Sequence, residues 1–161
     1  MGAGPESAGR VLEQSADELR RIWRLARAAS RNGVFPGLLD GVVRSFFANA
    51  GRIMAGGGQP AEAWKAASGP LRASGRLGVA ELTAEWAVAM EVLAAVCESF
   101  GADPGVAEWL ARAVAEAERA TSALASAGEL PAGMLVVHVL GDMPPPRRVL
   151  RAPVETDGDE G

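Results

Sequence analysis

Val79, Leu82, Trp86, Ala89, Leu93, Val96 and Phe100 are separated by alternating steps of three and four residues, and this spacing constrains the chain more than any other feature. It returns each side chain to one stripe of an α-helix, so residues 79–100 are predicted to form a helix packed along a seam. Three further segments repeat the pattern. Residues 6–31 carry Leu12, Ala16, Leu19, Trp23 and Ala26 on one face and stop at Asn32-Gly33, a left-handed helix end. Residues 36–55 start at Pro36, which suits a first turn, and carry a wide arc of Leu39, Val42, Val43, Phe46, Phe47, Ala50, Ile53 and Met54. Asp103 is a suitable cap for residues 104–127, where Val106, Leu110, Ala113, Ala117, Ala120 and Leu124 share a stripe. The expected fold is all-α: a four-helix bundle with a short extra helix at 61–67, which contains Trp64. The Gly- and Pro-rich stretch 68–78 reads as a loop.

The last thirty residues change character. Met134 to Leu140, MLVVHVL, is rich in β-branched residues and reads as a strand. A lone strand cannot satisfy its backbone, so either residues 147–152 return as a hairpin or another molecule supplies the partner. Pro144-Pro145-Pro146 between them favours polyproline geometry, fitting a connector or an exposed ligand segment. The expected organisation is a helical domain over 1–128, a C-terminal strand or extended segment over 129–154, and a disordered acidic tail over 155–161.

Chemistry-bearing side chains are scarce. The 161 residues include one His, one Cys and no Tyr. Most proton transfer, thiolate chemistry and imidazole ligation therefore has no residues to use. His138 has no accompanying ligand cluster for zinc. Glu81, Glu85, Glu91 and Glu98 share helix faces but lack the following His of a di-iron bundle. Gly56-Gly57-Gly58 follows a helix rather than a strand and has no Lys-Ser/Thr after it, so it fails as a phosphate loop. Cys97, within an apolar run, reads as a small buried hydrophobe. No catalytic, metal or cofactor-binding residue is expected, and the chain is read as non-enzymatic.

Net charge is −4, which offers no bulk attraction to nucleic acid or to an anionic membrane. Residues 1–6 lack the basic start and apolar core of a signal peptide, so a cytoplasmic location is expected. The candidate interaction residues fall in three places. Arg20, Arg24, Arg27 and Arg31 step by four, three and four along one helix side, a stripe that suits an acidic partner. Phe46 and Phe47 lie in the widest apolar arc, and Val137, His138 and Val139 lie in the strand. The sequence thus points to a protein–protein interaction or adaptor bundle with regulatory character. Its expected partner is protein, as a homodimer or other homo-oligomer, with no nucleic acid and no membrane. The alternative is a small-molecule sensory bundle with an apolar pocket between the second and third long helices, lined by Phe46, Phe47, Trp86 and Met90.

Overall fold

The computed structural model of the protein describes residues 2–29, 39–74, 79–127 and 134–140. Over these residues the chain is predominantly helical, with six α-helices in the order α1 (Pro5–Gln14), α2 (Ala16–Ala29), α3 (Val43–Ala55), α4 (Pro60–Ala66), α5 (Val79–Ser99) and α6 (Pro104–Ala127). The periodicity of 79–100 and 104–127 corresponds to α5 and α6 to within a residue at each end. The 61–67 segment corresponds to α4, which begins at Pro60. No helix among the described residues is long and apolar enough to cross a membrane.

Two boundaries depart from the apolar pattern. The single helix expected over 6–31 is broken at Ser15, whose φ and ψ of −98° and 10° end α1. Ser15 still donates its N–H to the Val11 carbonyl at 3.0 Å, while its own carbonyl accepts the Leu19 N–H at 2.8 Å. One residue thus closes α1 and opens α2, with Asp17 and Glu18 in the new first turn, where the helix dipole favours acids. The break lets the two pieces pack differently: α1 lies chiefly against α3, whereas α2 reaches α5 and α3. The helix expected to start at Pro36 starts instead at Val43. Leu39 to Val42 form a turn in which the Leu39 carbonyl accepts the N–H groups of Val42 and Val43 at 2.9 and 2.8 Å.

The contact between α1 and α3 is made at glycine. A Cβ on Gly9 would overlap the Gly51 carbonyl oxygen, and one on Gly51 would overlap that of Gly9. Only hydrogen side chains allow backbones to approach this closely, which explains glycine inside two helices despite its cost of about 1 kcal/mol per residue.

At the far end of α3, Gly57 (φ +75°) donates its N–H to Met54 and the Gly58 N–H reaches Ile53 at 2.8 Å. The end of α5 repeats this arrangement: Gly101 (φ +66°) donates to Glu98 and Ala102 to Cys97 at 2.9 Å. Both are Schellman ends, in which a left-handed residue lets two outlying N–H groups satisfy the last free carbonyls.

All eight apolar residues named in the 36–55 arc are buried. Around them, Phe46 meets Trp86 edge-on with ring centroids 5.0 Å apart, and Trp64 meets Trp86 at 5.8 Å. The buried indole of Trp86 donates to Thr121 Oγ1 at 2.9 Å, and that hydroxyl donates onward to the Ala117 carbonyl. Along α5 the buried stripe drifts from the expected seam. Leu82, Trp86, Ala89 and Leu93 are enclosed, but Cys97 replaces Val96 and Phe100 as the most buried residue of the last turns. A strict three-four alternation averages 3.5 residues per turn, and a straight helix of 3.6 rotates away from it. Burial pushes the Cys97 thiol up from its ordinary pKa.

Residues 68–74, expected to be loop, form β1 (Ser68–Ser74) and lie antiparallel to β2 (Met134–Leu140), with Ser68 opposite Leu140 and Ser74 opposite Met134. Among the described residues each strand of this sheet is an edge strand, where Pro70's missing donor need not break a ladder. Residues 147–152, the hairpin partner considered above, lie outside the described residues, as does the 155–161 tail.

Candidate interaction surface

The arginine stripe does not present itself as a free basic face. α2 directs Arg20 and Arg24 onto the turn that precedes α3, where both grip Asp40. Arg24 makes two contacts with its carboxylate, at 2.6 and 2.8 Å, and Arg20 makes one at 3.3 Å. The hydrogen bond from Arg24 holds the Asp40 carboxyl below its ordinary pKa, with the Arg20 charge adding to it. Arg20 Nε is closed off from solvent without a hydrogen-bond partner. On the adjoining side, Arg44 of α3 pairs with Asp17 of α2 and holds that carboxyl low as well.

Arg27 is buried rather than displayed, which corrects the view of it as part of a solvent-facing stripe. It follows Leu19 and Trp23 at steps of four, so the core-facing side of α2 runs through position 27. Its Nε meets Glu85 Oε1 of α5 at 2.9 Å, with only 8% and 7% of the two side chains exposed. The guanidinium carbon also sits 5.3 Å from the Trp23 ring centroid, a cation–π arrangement. The other oxygen of Glu85 accepts the Leu39 N–H at 2.9 Å. A charge enclosed this deeply is stable only if paired and hydrogen-bonded, and these partners satisfy that condition. Arg31 lies outside the described residues.

Phe46 and Phe47 are wholly buried, so they line no surface. Trp86, named with them as lining a pocket between the second and third long helices, meets Phe46 edge to face with ring centroids 5.0 Å apart. Val137, His138 and Val139 fall on β2, in register with Leu71, Pro70 and Gly69.

Sequence reasoning weighed Glu85 only as a metal ligand and gave Asp40, Asp17 and Arg44 no partner, and Glu85 carried a readable signal. Glu85 follows Leu82 by three residues and precedes Ala89 by four, so a carboxylate occupies the seam itself. The others meet their partners across sequence gaps that no local periodicity encodes.

A second concavity was also missed. A groove of 380 Å³ opens where the start of α1, the α3–α4 turn and the first two turns of α6 converge. Backbone bonds bring these parts together: the Ala3 N–H reaches the Gly101 carbonyl, and the Asp103 N–H reaches the Ala3 carbonyl, both at 2.9 Å. One wall is Trp109, whose indole N–H is anchored on the Gly58 carbonyl at 3.1 Å.

Among the described residues no group of three or more His, Cys, Asp or Glu is arranged to hold a metal ion. No family model matches this chain, and the searches of curated proteins and of solved structures returned no match.

Proposed function

We propose that this chain is a non-enzymatic interaction module, a cytoplasmic helical bundle with an adaptor or regulatory role that acts as a homodimer. In this reading α1 with α2, α3, α5 and α6 supply the four-helix bundle, and β2, within the 129–154 segment, supplies the contact between copies. The observation that carries the reading is the two-stranded sheet. Among the described residues each strand has one hydrogen-bonded neighbour, so each retains an edge of unpaired N–H and C=O groups. β1 loses a donor at Pro70, whereas MLVVHVL contains no Pro, Asp, Glu, Lys or Arg. Such an edge is a template for another strand. A two-stranded sheet is marginal in water, and a third strand stabilises it. With the α3 arc buried, recognition falls to this edge.

Full antiparallel overlap of β2 with its own copy sets Val137 opposite Val137. Facing Cα atoms there lie about 4.5–5.5 Å apart, within disulfide range. Oxidation of a Val137→Cys variant is expected to yield a covalent dimer. Leu135→Cys should not, because its two copies would be four residues out of register, about 14 Å. Equal cross-linking of both variants, or of neither, would contradict strand pairing between copies.

A further inference from the structure

The groove beside Trp109 is a surface whose chemistry matches another part of this chain. Its apolar walls are Pro5, Met54, Pro60 and Trp109, and the anchored indole holds its ring fixed before any ligand arrives. Its floor is open backbone: a Cβ on Gly57 or Gly105 would meet nothing within 4 Å. The polar groups around it include donors, namely the Gln59 amide, the Arg112 guanidinium, and the N–H of Gly105 in the first turn of α6, a position with no acceptor within its helix. A ligand that offers carbonyl oxygens and no N–H complements such a site, and a run of prolines is that ligand. Proline segments in polyproline geometry dock in grooves walled by aromatic rings.

The chain contains one such run, Pro144-Pro145-Pro146, followed by Arg147 and Arg148. The charges are complementary. Glu108 lines the groove, Glu62 accepts the Gln59 N–H at 3.0 Å at its edge, and Asp103 immediately precedes α6. Against these three carboxylates stands Arg112, itself paired with Glu108 at 2.7 Å. The reach is also right. Leu140 lies opposite Ser68, two residues past the end of α4, and the groove lies at the other end of that seven-residue helix. That helix is about 10 Å long, and the three residues 141–143 span about the same distance when extended.

We propose that the groove formed by α1, the α3–α4 turn and α6 is the intramolecular docking site for the segment Pro144–Arg148. Occupied, it fastens the C-terminal segment against the helical domain and covers the face of Trp109. This contact is separate from the β2 edge, so either can fail without the other.

The test uses the full chain and the indole N–H resonances of its tryptophans, with that of Trp109 identified by Trp109→Phe. Replacing Pro144, Pro145 and Pro146 together by Ser is expected to shift the Trp109 resonance and to leave those of Trp23 and Trp86 unmoved. Arg147→Glu with Arg148→Glu should shift it in the same direction. A free peptide of residues 141–153 should return the resonance of the Ser-substituted chain toward its original position. The unaltered chain, whose tethered segment already competes, should need at least about tenfold more peptide for any change. An identical Trp109 resonance in the unaltered and Ser-substituted chains overturns the proposal. A wild-type resonance that moves to the substituted position on dilution also overturns it, because the segment would then come from a second copy.

Discussion

The α2 clasp and the aromatic centre are both buried and both hydrogen-bonded, yet they hold the fold by different means. In the clasp, Arg27, Glu85 and the Leu39 N–H form a chain of charge-assisted bonds. In the centre, Phe46, Trp64 and Trp86 pack as rings, with a neutral bond from Trp86 to Thr121. The first region resists damage only while every partner is present. The second depends on volume. The difference lies in which losses a second substitution can repair.

Glu85→Ala should cost about 3–5 kcal/mol because it strands the buried Arg27 charge. Arg27→Met combined with Glu85→Leu should recover part of that, leaving about 1–3 kcal/mol of loss because the buried Leu39 N–H then has no acceptor, as measured by denaturant unfolding of the two variants. A double variant as unstable as the single one would break the comparison, since the pair would then do more than neutralise itself. Phe46→Ala should also cost about 3–5 kcal/mol, from lost burial plus a cavity, but deleting a neighbouring ring as well should deepen the loss. Thr121→Val, which removes the acceptor of the Trp86 indole while keeping its shape, should cost about 1–3 kcal/mol.

The smallest effect belongs to Asp40, at the half-open rim of the clasp. Asp40→Asn should cost about 1 kcal/mol or less at neutral pH, given that Arg24 is nearly half exposed. Its pH dependence sharpens the prediction. The folded carboxyl titrates below its unfolded value, so its contribution is present above about pH 3.9 and fades as pH falls through the lower folded value. Acid unfolding curves of the parent and the Asn variant should therefore converge at low pH. Curves that stay parallel would remove Asp40 from the clasp.

The sequence made some of this legible and hid the rest for physical reasons. α5 and α6 were readable because their apolar periodicity is long and uninterrupted, and α3's arc because every one of its apolar members is buried. The break at Ser15 was hidden because the apolar steps continue across it: Leu12, Ala16 and Leu19 are all buried, although they belong to two helices. The Gly9–Gly51 crossing was hidden because close approach depends on two residues far apart in sequence. Residues 68–74 were misread because Gly69 and Pro70 are turn residues by local preference, while pairing with 134–140 is a distant contact. The arginine stripe was correctly spaced, but its meaning depended on Asp40 and Glu85, which lie on other elements.

The central claim is that this chain works by associating with itself. Mass in solution, measured by light scattering over a dilution series of the full chain, tests it most directly. The account predicts twice the chain mass of 16.6 kDa at high concentration, falling toward the single mass on dilution. A single-chain mass at every concentration would contradict it.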